Sequence, residues 1–139
     1  MTTKILYFDT AATTPIDKNV AILMNKINLE NFGNPSSIHT IGQKSHNIIE
    51  RSRISIAKIL NCQSSELFFT SGGSESNNII LKGVLLKGDH FITSSYEHPS
   101  ILGLCDYLKN NNVEVSLVKP DSNGIIQPNK IKALIKKKY

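Results

Sequence analysis

From residue 67 onward the chain alternates short apolar runs with helical stretches, and no other feature restricts its fold as much. The runs Leu67 to Thr70, His90 to Ser94 and Val113 to Val118 have the length of strands, and the stretches Glu75 to Leu86 and Pro99 to Lys109 read as helices between them. Parallel strands cannot be joined by a tight turn; they need a crossover of about a dozen residues, and a helix supplies it. The pattern therefore predicts an α/β fold, with parallel βαβ units covered by helices and a last helix opening near Pro128. Two helices come first. Pro15 and Asp17 are placed to start one, which carries Val20, Leu23, Met24 and Ile27 at helical spacing. The segment NFGNPSS then breaks it, because Gly33 permits positive φ and Asn34, standing before Pro35, is pushed out of the α region. Ser36 or Ser37 is placed to cap a second helix from about His39 to Leu60, with Ile41, Ile48, Ile49, Ile56, Ile59 and Leu60 on or beside one face.

The chain has 139 residues, of which 40% are apolar, enough for one domain with its own core. Its net charge of +5 is concentrated at one end: residues 1 to 119 hold 11 Lys and Arg against 10 Asp and Glu, so +4 belongs to the last twenty residues. Lysines gathered near a helix end favour the macrodipole, and no aromatic residues are interleaved with them to stack on bases, so a solvated helix end is expected and not a nucleic-acid partner. Cys62 and Cys105 stand far apart and outside any Cys-x-x-Cys spacing, which predicts neither a disulfide framework nor a zinc site and fits a cytoplasmic protein. No apolar run approaches the roughly 18 residues of a membrane span, and the first residues lack the pattern of a secretory leader.

Two loops carry candidate chemistry. In TSGGSESNN (70 to 78) a strand ends in two adjacent glycines and hands over to a helix rich in hydroxyls. One reading is a tight strand-to-helix turn. The other is a cradle for an anion, since a helix N-terminus presents unpaired N–H groups and partial positive charge, and glycines let the backbone close around an anion. Neither the Gly-x-Gly-x-x-Gly nor the P-loop spacing occurs, which argues against a dinucleotide fingerprint and leaves a compact phosphate on another cofactor. In YEHPS, His98 follows the strand 90 to 94 and precedes the helix opened by Pro99. It is either a solvated loop histidine or an imidazole that stacks on an aromatic cofactor and exchanges protons. Both loops fall at the carboxyl ends of strands, where open α/β sheets bind ligands, and that convergence counts toward the functional reading of His98. His39 and His46 share a helix face but lack a third ligand, so no metal site is expected. Cys105 shares a helix face with Ile101 and Leu108 and reads as core, and Cys62 has no cation beside it to lower its pKa.

With these motifs assembled, the chain resembles the N-terminal part of the cysteine desulfurases of the NifS/IscS type, within the class V aminotransferase family of pyridoxal-phosphate enzymes. The matching stretches are YFDTAATTP (7 to 15), ENFGNPSSIH (30 to 39), FTSGGSESNN (69 to 78) and HFITSSYEHPSIL (90 to 102). They occur in the family's order and cover nearly the whole chain. The resemblance implies an aspartate aminotransferase-like large domain, present in part, with N-terminal helices followed by βαβαβα. It implies pyridoxal 5'-phosphate as cofactor, with Gly73 and Ser74 at the cofactor phosphate, Ser standing where the family has Thr. His98 maps onto the family's histidine that stacks on the pyridine ring and relays protons. Ala12, Thr13 and Asn34 fall in segments that line the active-site mouth and the dimer interface, whereas Thr10 departs from the Asn or Tyr common there.

The resemblance also implies L-cysteine as substrate, alanine as product and sulfur passed through a cysteine thiolate to an acceptor for Fe-S cluster or thio-cofactor assembly. No lysine here follows a histidine, as the family's anchoring lysine does, and no Asp-x-x-Gln supplies partners for the cofactor ring. Neither Cys62 nor Cys105 matches the context of the family's mobile-loop cysteine. Residues 1–139 are accordingly expected to be the N-terminal part of the domain, ending before the catalytic lysine and inactive alone. Two alternatives stand beside this: one chain of a split desulfurase completed by a separately encoded C-terminal part, and a non-catalytic module that pairs with a full-length homologue of the homodimeric family.

Overall fold

Asp17 starts the first helix in the way its position predicts. Its Oδ1 accepts from the N–H groups of Asn19 at 2.8 Å and Val20 at 3.3 Å, satisfying two of the donors that a helix start leaves open. Helix α1 (Lys18–Glu30) follows. The computed structural model describes residues 5–136, which divide into two units between Phe68 and Phe69.

In the first unit, α1 gives way to α2 (Thr40–Leu60) through the NFGNPSS turn. Asn34 shapes this turn, its Oδ1 accepting from Ser36 N at 2.9 Å and its carbonyl from Ser37 N at 3.0 Å. Gly33 serves differently from expectation. Its backbone does not take the left-handed φ anticipated; a Cβ there would lie 2.5 Å from the Ile41 carbonyl oxygen, so close approach is what excludes a side chain. Gly42 is equally confined, with a Cβ meeting the Asn34 and Ser37 carbonyl oxygens at 2.6 Å. The cap of α2 is also corrected: His39, not Ser36 or Ser37, holds the N-cap, its Nδ1 accepting from Gly42 N at 3.3 Å. Ser45 is buried and donates to the Asn31 carbonyl at 3.0 Å, tying α2 to the end of α1.

Asn61 closes α2 in the left-handed conformation, φ 53°, and Cys62 N reaches back to the Ala57 carbonyl at 3.0 Å. A 3-10 turn (Ser64–Glu66) follows, and the Arg53 guanidinium donates to the Leu67 carbonyl at its exit. The apolar stripe expected to be the core face of α2 is mostly exposed, with Ile59 82% and Leu60 61% accessible; the buried positions of this helix are Gly42, Ser45 and Ala57. The helical period was read correctly, but the described residues provide no element to cover that face.

The second unit contains α3 (Gly73–Val84), β1 (His90–Ser94), α4 (Pro99–Asn110), β2 (Glu114–Val118) and the short α5 (Pro128–Lys132). β1 and β2 are parallel, in register from His90 opposite Glu114 to Ser94 opposite Val118, with α4 as the crossover. Leu104, Cys105 and Leu108 of α4 are buried together with Val113 and Val118, and Leu108 is 1% exposed. This is the main core of the molecule. Gly88 (φ 89°) and Asn112 (φ 61°) take left-handed turns that bring the two strand starts together, with Gly88 N donating to the Asn112 carbonyl at 2.9 Å. The α/β class therefore holds, with one correction. Residues 67 to 70, expected as the first of three strands, join no ladder, although Leu67 has extended dihedrals (φ −105°, ψ 123°). A strand exists only as part of a ladder, and among the described residues the ladder consists of β1 and β2.

The loop PDSNG is organised by Asp121, whose carboxylate accepts from Asn123 N, Ile125 N and Gln127 Nε2 at 2.9, 3.0 and 2.6 Å. The last helix is shorter than expected. Lys136 lies beyond it and pairs with Glu114 at 2.6 Å, so part of the basic tail serves as a counter-charge to β2; residues 137–139 of that tail lie outside the described residues.

Two substitutions test this packing. Leu108→Ala should lower unfolding stability by about 2–5 kcal/mol, the usual range for emptying a filled core position, read from the urea midpoint of the helical ellipticity. Gly42→Ala should destabilise by about 1–3 kcal/mol by overpacking, although alanine is the better helix former in open positions. A more stable Gly42→Ala protein in the same titration would mean that the contact with Asn34 and Ser37 is slack.

Candidate functional site at the starts of α3 and α4

The turn before α3 is held by hydroxyls. Thr70 Oγ1 lies 2.8 Å from Ser76 Oγ and donates to the Gly72 carbonyl at 3.2 Å. Gly72, at the N-cap, is extended (φ 162°, ψ 179°) and offers no side chain to the helix start. Among the described residues, the N–H groups of Gly73, Ser74 and Glu75 make no hydrogen bond, and neither does the Ser74 hydroxyl. A Cβ at Gly72 or Gly73 would meet nothing within 4 Å, so the approach to these donors is open. The helix thus begins with several aligned donors and the positive end of its dipole directed at solvent, the arrangement that suits a compact anion.

Glu75 is tied to the turn itself. Its carboxylate folds back to accept the Ser71 N–H at 2.5 Å, and the backbone and side-chain hydrogen bonds from Ser71 hold its pKa below the ordinary value of 4.5. It is therefore engaged at the turn as a carboxylate.

His98 caps the next helix in this unit. Its Nδ1 accepts from Ser100 N at 3.1 Å and lies 2.8 Å from Ser100 Oγ, while Pro99 takes the first helical position, where no N–H is needed. The imidazole is exposed. Asn77, one turn into α3, donates from Nδ2 to Ser100 Oγ at 2.9 Å. That bond fastens the first turn of α3 to the first turn of α4, about 6 Å along the α3 axis from Gly73 at 1.5 Å per residue. Gly73, Ser74 and His98 are thereby brought to neighbouring helix starts, as their positions after successive strand-like runs suggested.

The remaining candidates divide plainly. Thr10, Ala12, Thr13 and Asn34 belong to the first unit. There Ala12 N and Thr13 N donate to the Asp9 carbonyl at 3.1 and 3.4 Å, and the Tyr7 hydroxyl lies 2.9 Å from the Thr13 carbonyl. His39 is occupied as a helix cap, and among the described residues no three His, Cys, Asp or Glu gather for a metal. Cys105 is core: burial raises its thiol pKa, the chief influence on it, and its Sγ contacts the Ile101 carbonyl at 3.6 Å. Cys62 is exposed in the turn after α2. Asn77 and Ser100 are the functional candidates that sequence reading passed over. Ser100 had a faint signal, standing two residues after a histidine at a helix start. Asn77 had none, because its partner is 23 residues away.

The donor set fits one part of pyridoxal phosphate and not another. Free N–H groups and a hydroxyl suit its phosphate, and an exposed imidazole on the neighbouring helix start can lie against a flat ring. Its aldehyde finds no partner here: among the described residues no hydrogen bond, ion pair or ring contact ties a lysine to Gly73, Ser74 or His98, and Lys82 sits 4.6 Å from the Tyr107 ring centroid while Lys109 pairs with Asp106 and Lys136 with Glu114.

Residues 6–139 match the aminotransferase class-V family. The chain is 42% identical over 136 residues to cysteine desulfurase IscS of Dictyoglomus turgidum, covering 95% of this chain and 34% of that protein. Against cysteine desulfurase IscS of Methanosarcina thermophila it is 40% identical over 137 residues, covering 96% and 34%. Among solved structures, SspA in complex with cysteine superposes with a TM-score of 0.85 at 37% identity, over 94% of this chain and 39% of that one. The chain thus spans about a third of the length of the curated relatives it matches.

Glu75 provides a test of the turn. Its depressed pKa means that its contribution to stability is complete above 4.5, the unperturbed value, and is lost as the pH falls through the lower folded-state value. Thermal melts in steps below pH 4.5 should show the wild type losing part of its stability that Glu75→Gln lacks at every pH. Parallel pH curves for the two proteins would show that the carboxylate charge has no part in holding the turn.

Proposed function

The chain belongs to the aminotransferase class-V family, and from that premise we propose that it supplies the phosphate-binding and ring-contacting part of a pyridoxal-phosphate-dependent cysteine desulfurase site. In this reading residues 1–139 are the N-terminal part of the family domain, ahead of the lysine that anchors the cofactor. The observation that carries it is the pair of helix starts joined by Asn77 and Ser100, one with unpaired donors at Gly73 and Ser74 and the other capped by His98.

The role of each residue follows from its chemistry. The N–H groups of Gly73 and Ser74, with the Ser74 hydroxyl, hold the phosphate at the positive end of α3. The His98 imidazole would lie against the ring and keep it oriented. When bound, the cofactor serves as an electron sink for the amino-acid substrate. In the reaction proposed for the complete site, the C–S bond of L-cysteine breaks, its sulfur joins a cysteine thiolate as a persulfide, the thiol proton ends on the methyl group, and alanine leaves. Neither Cys62 nor Cys105 is assigned that thiolate. The isolated chain therefore binds the phosphate end of the cofactor but does not turn over L-cysteine, and the work belongs to the cytoplasm.

A second reading, completion by a separately encoded chain, is favoured by a ladder that holds two strands among the described residues. A reading frame encoding the later family motifs beside this one would support it, and unrelated sequence there would count against it.

Pyridoxal phosphate added to the purified chain should broaden and shift its phosphorus resonance, with inorganic phosphate competing. Ser74→Ala should weaken this binding by about 10- to 100-fold, as expected for a lost hydrogen bond of about 1.5–3 kcal/mol to a charged group. Sulfide should not appear when L-cysteine and a reductant are added. Sulfide release by the lone chain, or binding indifferent to Ser74→Ala, would refute the assignment.

A further inference from the structure

A neutral imidazole has one nitrogen that donates and one that accepts, and in His98 the surroundings decide which is which. Nδ1 faces the backbone N–H of Ser100 at 3.1 Å. A backbone N–H can only donate, so Nδ1 carries no proton. Ser100 Oγ, 2.8 Å from the same nitrogen, must then donate its hydroxyl hydrogen to it. An oxygen committed in this way turns its lone pairs elsewhere, and Asn77 Nδ2 fills one of them at 2.9 Å. The direction of the whole chain, from Asn77 to Ser100 to His98, is therefore set by a backbone donor that has no alternative role, and the orientation of the Asn77 amide follows from it.

We propose that Asn77 and Ser100 are positioning residues that reinforce, through the Ser100 hydroxyl, the Nε2–H tautomer of His98 selected by the Ser100 backbone N–H, so that the exposed side of the ring presents a hydrogen-bond donor and not a basic lone pair. Among the described residues Nε2 makes no hydrogen bond, which leaves that donor available to an acceptor oxygen on a ligand. The role of His98 in capping α4 and its role toward a ligand use different nitrogens. The proposal rests on the reading of His98 as a site residue but not on cofactor uptake.

Nitrogen-15 spectra of the histidine-labelled full chain give the tautomer directly. The wild type should show His98 protonated at Nε2, with Nδ1 shifted by an accepted hydrogen bond. Asn77→Asp replaces the donor by an acceptor for the Ser100 hydroxyl and turns a lone pair of that oxygen toward Nδ1, against the backbone donor, so the Nδ1-protonated fraction should rise by about fivefold, the factor carried by one ordinary hydrogen bond. Adding Ser100→Ala should cancel that rise. Ser100→Ala alone introduces no charge; it should move Nδ1 toward its unbonded resonance, and Ser100→Thr should restore it. A wild-type ring protonated at Nδ1, or an Nδ1 resonance unmoved in Ser100→Ala, would overturn the proposal. Since the measurement needs no cofactor, a chain that takes up no pyridoxal phosphate refutes the reading in the preceding subsection and leaves this result to be judged alone.

Discussion

The burial of Leu104, Cys105 and Leu108 of α4 with Val113 and Val118 is the constraint from which the second unit follows. A parallel pair of strands cannot close locally, so β1 and β2 remain paired only while the crossover between them is held down. At roughly 25 cal/mol per Å² of apolar area removed from water, a handful of filled positions contributes several kcal/mol, a large share of the stability of a small unit. Once α4 is seated, its first turn is fixed in space, and with it His98. The Asn77 bond to Ser100 then places the start of α3 beside it. Packing decides where the helix starts are, and polar contacts decide what they present.

Much of this arrangement was legible from local chemistry. The periodicity gave β1, α4 and β2 close to their true limits, because Pro99 and the NNN turn punctuate them. The Gly73, Ser74 and His98 positions were readable for the same reason, each standing where a strand-like run hands over to a helix. Features that depend on contacts remote in sequence were not readable. Asn77 reaches a partner 23 residues on, and nothing in ESNN distinguishes it from Asn78, whose amide merely donates to the Ser74 carbonyl one turn back.

The misses share a physical cause. Leu67 to Thr70 has the composition of a strand but no ladder, and Ile59 and Leu60 have the spacing of a core face but lie in water. Hydrophobic pattern reports what a segment is suited to bury, and the burial itself needs a second surface. Gly33 and the α2 cap differ from this. There several locally acceptable solutions existed, and the close approach of Ile41 to Gly33 selected among them.

The two-stranded ladder has a consequence for how such a chain behaves in a tube. Among the described residues each strand has one neighbour, so each keeps one flank of amides and carbonyls outside the ladder. Groups of that kind are in general a template for an extended polypeptide, whether a homologous segment, another molecule of the same kind or a partly denatured contaminant. Which of them arrives first is then a matter of relative concentration, and dilution during purification becomes a thermodynamic variable in its own right.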